Sequence, residues 1–263
     1  MRKMTRSLIP LVVAGFLLFG AGTFSHHALV YAQTSAADNN IRAEVMNKAL
    51  KNSKFKDVQA SVQNGIVQLT GTVGVFDTKK QATDRVQHVK GVKAVENMIE
   101  VAGPTLPDSE LQEKVVKAVQ YDRMGWPSAP FNAISVSVHN GVVTLGGHAY
   151  GPVDADTAVA TVSNIKGVKD VIDNIQVDPV SMMDDRIRIA VYRAVYGFPS
   201  LNKYAIDPVQ PIRISVQHGN VTLYGVVDSQ ADKDAAGIRA NSVPGVFHVT
   251  NDLTVRGQKE GAK

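Results

Sequence analysis

Hydrophobic and polar positions along the chain follow the same order three times. Each copy opens with apolar residues spaced three or four apart, which is the spacing of one helix face. Alternating apolar and polar positions follow and predict two strands joined by a tight turn. A second helical stretch and a last alternating run complete the copy. The alternation that predicts the first strand of each copy lies at Val58, Ala60 and Val62, at Ile134, Val136 and Val138, and at Ile212, Ile214 and Val216.

A short phrase marks the hairpin of each copy, reading NGIVQLTG, NGVVTLGG and HGNVTLYG. Its residues tolerate positive φ, which tight hairpin turns require, and the predicted turn pairs are Asn64-Gly65, Asn140-Gly141 and Gly219-Asn220. A further glycine near the end of each second helix suits a helix C-cap. Glycines recur at identical offsets in the copies, at Gly65, Gly71 and Gly91, at Gly141, Gly147 and Gly167, and at Gly219, Gly225 and Gly245.

The repeat predicts the fold class and the division of the chain. We expect an α+β protein made of three tandem small α-β-β-α-β units, each a three-stranded sheet with two helices on one face. The predicted units cover residues 41–103, 108–180 and 184–257.

The first residues have the order of a secretory signal peptide. A basic start with Arg2, Lys3 and Arg6 precedes an apolar run, and small residues follow before Gln33. We predict a signal peptide over residues 1–32, cleavage near Ala32-Gln33 and a periplasmic location. The alternative is an uncleaved membrane anchor, although the apolar run is short for a span of about 20 residues.

Charge and cysteine content exclude several classes of function. The chain has 28 Lys+Arg and 24 Asp+Glu, and three of the basic residues lie in the predicted signal peptide. The basic balance is therefore no evidence for nucleic acid binding. The absence of cysteine excludes disulfides, thiolate catalysis and cysteine metal sites.

The repeated residues resemble the BON domain, a family named for bacterial osmotically inducible and nodulation-associated proteins. The phrase ending in glycine, the Gly-Val pair after the second helix and the closing valine–Asn/Asp–Ile/Leu pattern carry the resemblance. The resemblance implies a periplasmic or envelope location and association with membranes, often with phospholipid. It implies no shared catalytic site.

Candidate contact residues lie where the copies differ, because loops carry function. Copy one has a lysine run, and copies two and three have aromatic loops containing GWPS and GFPS. The lysines could bind anionic lipid head groups or form a solvated face. The aromatic side chains could enter a lipid interface or a partner's pocket. Alternatively, they could pack on the core or on a neighbouring unit. The candidates are Lys48, Lys51, Lys54, Lys56, Trp126, Phe131, Phe198 and Tyr204.

Net charge differs between the copies. Residues 41–103 have ten basic and six acidic residues, a balance of +4, whereas residues 104–180 have five and nine, a balance of −4. These units could attract each other within one chain or between two chains.

No pattern predicts catalysis, a metal site or a cofactor site. The histidines lack metal-ligand spacing, and Asp154 and Asp156 are predicted to cap a helix. We therefore predict a non-enzymatic envelope protein with no small-molecule substrate, which binds phospholipid or an envelope partner. The alternative is a periplasmic chaperone-like protein that holds unfolded clients. Binding to lipid head groups should weaken as salt screens the charges, whereas binding of unfolded clients through apolar surface should not.

Overall fold

The computed structural model describes residues 36–122, 124–207, 209 and 211–257. Over these residues the chain forms three α+β units in tandem, which confirms the fold class predicted from the sequence. The predicted signal peptide over residues 1–32 and its cleavage site lie outside the described residues. Within the described ranges, no helix has both the length and the apolar character needed to cross a bilayer.

The three units share one element order, with short additions before the first strand. Unit 1 has α1 over residues 36–44, which continues as a π-helical turn at Val45–Ala49, a 3-10 turn at Ser53–Phe55, β1 (Val58–Gln63), β2 (Ile66–Val73), α2 (Phe76–Val86), β3 (Ala94–Asn97) and β4 (Glu100–Val101). Unit 2 has α3 (Asp108–Asp122), a 3-10 turn at Ala129–Phe131, β5 (Ala133–His139), β6 (Val142–Ala149), α4 (Pro152–Ser163), β7 (Asp170–Asp173) and β8 (Gln176–Val177). Unit 3 has α5 (Met182–Tyr196), α6 (Asn202–Ile206), β9 (Arg213–Gln217), β10 (Asn220–Val227), α7 (Gln230–Asn241) and β11 (His248–Val255).

The second strand of each unit lies at the centre of its sheet. It pairs antiparallel with the first strand and parallel with the last. The parallel pairs start at Ile66 beside Ala94, at Val142 beside Asp170 and at Asn220 beside His248. β3 and β4 keep the same offset to β2, as β7 and β8 do to β6, so each pair is one edge strand with a short interruption. In unit 3 this edge strand is continuous.

An aspartate at the start of each first helix holds the hairpin turn of its unit, a feature that the sequence analysis missed. The carboxylates of Asp38, Asp108 and Asp184 each accept two backbone N–H groups from the turn. These hydrogen bonds lower the pKa of Asp108. Each helix is thereby tied to a hairpin far along the chain. The signal was present in the sequence as an acidic residue at one repeat position.

The turns themselves confirm two of the three predicted pairs. Asn64 and Asn140 have φ of 55° and 52°, and each precedes a glycine with positive φ. In unit 3 the turn pair is His218-Gly219, so the predicted pair Gly219-Asn220 was wrong by one residue. Asn220 is instead the first residue of β10. A histidine with φ of 52° is unusual, and the two hydrogen bonds that the backbone N–H groups of His218 and Gly219 donate to Asp184 hold it in that conformation.

The glycines after the second strand are required by close approach of the backbone. Gly147 has φ of 80°, and a Cβ built there would lie 2.1 Å from the carbonyl oxygen of Ala133. The third repeated glycine does not cap the helix directly, contrary to the prediction. Gly91 lies beyond the end of α2 at Val86, in the turn that leads to β3. Its φ of 92° is what selects glycine.

Units 2 and 3 pack against each other through buried side chains. Phe131 of unit 2 belongs to the hydrophobic core of unit 3. Arg213 of β9 donates a hydrogen bond to the carbonyl oxygen of Ala129 in unit 2. Unit 1 contacts unit 2 through Phe76, which packs against the core of unit 2. The chain is therefore a set of coupled units.

Candidate functional site

A groove of about 920 Å³ lies between units 2 and 3, and we call it the interunit groove. Residues 124–131 of unit 2 form one wall, and α5 and α6 of unit 3 form the other. Large apolar side chains at the groove are partly open to solvent. Trp126 is 59% exposed and Ile206 is 77% exposed, and Met124 and Ile189 are also exposed. Exposed apolar side chains that converge on one concave surface are typical of a binding site.

The loop that carries Trp126 is held in place on its C-terminal side. Asp154 accepts hydrogen bonds from the Ser128 hydroxyl at 2.9 Å and from Asn132 Nδ2 at 3.1 Å. Asp154 therefore anchors the loop. The predicted capping role of Asp154 at α4 was wrong, because Gly151 is the N-cap residue of that helix. Trp126 therefore extends from a loop that hydrogen bonds to Asp154 hold in position.

Phe131 is a structural residue, which corrects its prediction as a lipid or partner contact. It is 9% exposed. Its ring lies 5.7 Å from the ring of Tyr150 and 6.3 Å, edge on, from the ring of Tyr192. The alternative that an aromatic side chain packs on the neighbouring unit therefore holds for Phe131.

A buried arginine lies at the floor of the groove. Arg188 is 1% exposed and lines the groove. Its Nη1 donates to Asp185 at 2.6 Å, and its Nη2 donates to Asp178 at 3.1 Å and to the carbonyl oxygen of Val216 at 2.7 Å. The guanidinium carbon lies 5.2 Å from the centre of the Tyr150 ring. Two carboxylates thus balance the charge of Arg188.

Asp178 joins the two units beneath the groove. This fully buried carboxylate follows β8 and accepts hydrogen bonds from Ser215 and Gln217 of β9 as well as from Arg188. His148 Nδ1 of unit 2 lies 3.2 Å from the Asp178 carboxylate. One linker residue therefore fixes the position of Arg188 relative to both units.

An arginine of the second helix covers a loop aromatic residue in units 1 and 3. Arg239 lies 3.9 Å from the ring centre of Phe198, and Arg85 lies 5.5 Å from that of Phe55. Gly65, Gly141 and Gly219 align the units, and on this alignment Thr161 occupies the arginine position in unit 2. Trp126, in the unit 2 loop, is largely exposed. Phe55 is 1% exposed, and the repeat pattern of the sequence did not reveal this buried aromatic residue.

The two predicted aromatic residues of unit 3 are packed into that unit. Phe198 is half-buried beneath Arg239. Tyr204 is 4% exposed, and its hydroxyl donates to Asp232 at 2.8 Å. Burial raises the pKa of the Tyr204 phenol. Of the four aromatic candidates, Trp126 is the one whose side chain is largely exposed.

The predicted lysine run of unit 1 does not form one free cationic surface. Lys48 pairs with Glu44 at 2.5 Å, and Lys56 lies 3.9 Å from Asp57. Lys54 donates to Gln81 and lies over the ring of Phe55. Lys51 is exposed. The positive charge at this helix end is therefore partly neutralised by neighbouring side chains.

The part of the chain that the structure describes contains no cluster of side chains suited to binding a metal ion. There, His, Asp and Glu side chains do not gather in a group of three or more able to hold a metal ion. His139 and His218 lie at the hairpin turns of units 2 and 3.

Comparison with known proteins gives a family match over most of the chain. The family model described as "BON domain" matches residues 37–103, 107–179 and 200–257. Osmotically-inducible protein Y of Escherichia coli (strain K12) is 28% identical over 201 residues, which cover 72% of this chain and 93% of that protein.

Two solved structures of CdsD, a structural protein of the type III secretion system of Chlamydia trachomatis, are also similar. The C-terminal domain is 12% identical, with a TM-score of 0.24, and the match covers 82% of this chain and 96% of that chain. The second is 13% identical, with a TM-score of 0.23, and covers 82% and 91%. At these TM-scores the similarity does not bear on how the units are arranged.

Proposed function

The chain belongs to the BON domain family, and from that premise we propose that it is a non-enzymatic protein of the bacterial envelope that binds apolar segments of other envelope proteins. The interunit groove is the proposed binding site. The name of the similar osmotically-inducible protein supports a role during osmotic stress, and the signal peptide predicted over residues 1–32 supports a periplasmic location. Holding of unfolded clients is one use of such a site.

The convergence of Trp126 and Ile206 on one groove is the observation that supports this proposal. Their side chains are 59% and 77% exposed, so covering them with a partner removes a large apolar area from water. Tryptophan, tyrosine and arginine are enriched among the residues that dominate protein interfaces, and the groove contains Trp126, Tyr192 and Arg193.

Fluorescence of Trp126 tests the proposal directly, because it is the one tryptophan in the sequence. The purified protein is titrated with reduced, carboxymethylated ribonuclease A, which is permanently unfolded and contains no tryptophan, and with native ribonuclease A as the control. We expect a blue shift of the emission with the unfolded protein only, unchanged at high salt. No shift with the unfolded protein would contradict the proposal.

Membrane binding is the second candidate function, and the exposure of Trp126 on a Gly/Pro-rich loop favours it. Lys51 and its neighbours would contribute attraction to anionic head groups, about 1 kcal/mol per basic residue near the surface. Flotation with anionic and zwitterionic liposomes at low and high salt tests this function. Flotation with anionic vesicles that is lost in salt would support it, and its absence in every condition would exclude direct lipid binding.

A further inference from the structure

We propose that unit 1 carries a carboxylate-binding site, formed by Arg42, Ser61 and Gln63, which takes an aspartate side chain of a different protein. These residues belong to the first helix and the first strand of unit 1, and none of them lines the interunit groove. The inference therefore goes beyond the proposed function and does not depend on it. It follows from a site of the same composition that unit 3 uses within the chain.

The site in unit 3 binds the carboxylate of Asp178, which lies at the end of unit 2. One carboxylate oxygen accepts from Arg188 Nη2 at 3.1 Å, and the other accepts from Gln217 Nε2 at 2.9 Å. The Ser215 hydroxyl donates to the first of these oxygens, also at 3.1 Å. An arginine of the first helix and two polar residues of the first strand thus hold both oxygens of one aspartate.

The arginine of this site recurs in unit 1. Arg188 and Arg42 each stand four residues after the aspartate that holds the hairpin turn of their unit. Arg188 donates to the carbonyl oxygen of Val216 in β9 at 2.7 Å. Arg42 donates through Nε to the carbonyl oxygen of Ala60 in β1 at 3.0 Å. Both arginines therefore lie along the first strand of their unit.

The serine and the glutamine recur as well. The first strands of units 1 and 3 both end in the sequence Ser-Val-Gln, directly before the hairpin turn. Ser61 and Gln63 thus occupy the positions of Ser215 and Gln217, two residues apart and on one face of the strand. In unit 1 both side chains are exposed. The three donors that bind Asp178 in unit 3 are accordingly all present in unit 1.

Arg42 has no carboxylate partner among the described residues. In unit 3, Asp185 also pairs with Arg188, but Asn39 stands at the corresponding position of unit 1. Residues 1–35 contain neither aspartate nor glutamate, so that stretch of the sequence cannot supply the carboxylate. The charge of Arg42 is therefore available to another molecule.

Unit 2 shows that the arginine and the preceding carboxylate occur together. Gln112 stands at the arginine position of unit 2. Ala102, at the end of unit 1, stands at the position of Asp178, because each directly follows the last residue of its edge strand. Unit 2 thus lacks both members of the pair and unit 3 has both. The presence of Arg42 indicates that unit 1 also receives a carboxylate.

The unit ends of a second copy of this chain do not supply that carboxylate. Ala102 and Arg256 end units 1 and 3, and neither carries one. Asp178 is fully buried against unit 3 of its own chain. The occupant is therefore an aspartate that follows an edge strand in a different protein.

Amide nuclear magnetic resonance with a blocked peptide of the sequence NIQVDPVS, residues 174–181 of this chain, tests the inference. We expect the peptide to shift the backbone amide signal of Ser61 and the side-chain amide signal of Gln63. The same peptide with Asp178→Asn should shift neither signal, and acetate at equal concentration should shift neither. No response to the Asp178 peptide, or an equal response to acetate, would overturn the inference. A response to dihexanoyl phosphatidylglycerol below its micellar concentration, with none to the peptide, would also overturn it.

Matched substitutions test whether the contact is specific. Arg42→Gln should weaken peptide binding at least about tenfold and leave the melting temperature unchanged, because Arg42 is exposed. Lys80→Gln removes the same charge from an exposed position on α2 and should change affinity by less than about twofold. Equal effects of the two substitutions would refute a specific site.

Sedimentation of the purified protein tests the identity of the partner. We expect no self-association that depends on Arg42. A dimer that Arg42→Gln dissociates would place the carboxylate on a second copy and refute the assignment to a different protein. The Trp126 titration reports on the interunit groove, so its outcome and that of the peptide experiment are independent.

Discussion

Replacement of Phe131 by alanine tests whether units 2 and 3 form one packed structure. Phe131 belongs to unit 2 in the sequence, yet it lies in the core of unit 3 and is 9% exposed. Large-to-small substitution of a buried phenylalanine costs about 3–5 kcal/mol. The two aromatic contacts with Tyr150 and Tyr192 add to the loss, each typically about 0.5–1.5 kcal/mol.

We therefore expect Phe131→Ala to lower the free energy of unfolding by at least about 3 kcal/mol. Guanidinium denaturation followed by circular dichroism measures total helix and strand content, and Trp126 fluorescence reports on the unit 2 loop beside the junction. In the variant, the fluorescence transition should move to lower denaturant. Trp126→Ala, followed by circular dichroism alone, is the control and should change stability by no more than about 0.5 kcal/mol, because that side chain is largely exposed. A loss below about 1 kcal/mol for Phe131→Ala would show that the two units do not pack as described.

Three further substitutions address the repeat and its electrostatics. Asp184→Ala removes two charge-assisted hydrogen bonds to the turn of unit 3, so the free energy of unfolding should fall by about 2–4 kcal/mol in urea denaturation, whereas exposed Asp234→Ala should have little effect. Gly147→Ala places a Cβ against the carbonyl oxygen of Ala133 and should cost at least about 2 kcal/mol by thermal unfolding, whereas Gly74→Ala, with open space around it, should be tolerated. A hydrogen bond from Lys203 lowers the pKa of Asp228; burial opposes a lower pKa for Asp232, but hydrogen bonds from Lys203 and Tyr204 outweigh it. The stabilisation from these carboxylates is thus present above their unfolded pKa near 3.8 and is lost as pH falls through the lower folded values. Lys203→Met should therefore flatten the decrease of the melting temperature between pH 5 and pH 3. An unchanged pH profile would refute this assignment.

The fold was predictable because its determinants are local and occur three times. Apolar spacing defines the helices and strands, and the turn and close-approach glycines need backbone conformations that few residues adopt. The errors were also local. The turn of unit 3 was displaced by one residue because both His218-Gly219 and Gly219-Asn220 suit a hairpin, and the asparagine that marked the turn elsewhere is here in the strand. The clamp by Asp184 explains which pair is used, and it depends on a contact between distant residues.

The candidate site was predictable only in part. The sequence singled out the loops that contain GWPS and GFPS as places where the copies differ, and residues 124–131, α5 and α6 line the groove. It could not separate exposed Trp126 from buried Phe131 and Tyr204, because all three are aromatic residues in Gly/Pro-rich surroundings. Arg188 escaped notice because an arginine on a helix normally faces solvent.

The sequence by itself determined the number of units, their element order and the family, since each rests on short spacings that recur in three copies. Tertiary structure decided what no single copy contains: the burial of Phe131 in another unit, the two carboxylates around Arg188, and the exposure of Trp126. Burial and charge balance depend on which distant residues become neighbours. The pattern of one segment specifies its own conformation, whereas the contacts that make a binding site arise only when the units pack.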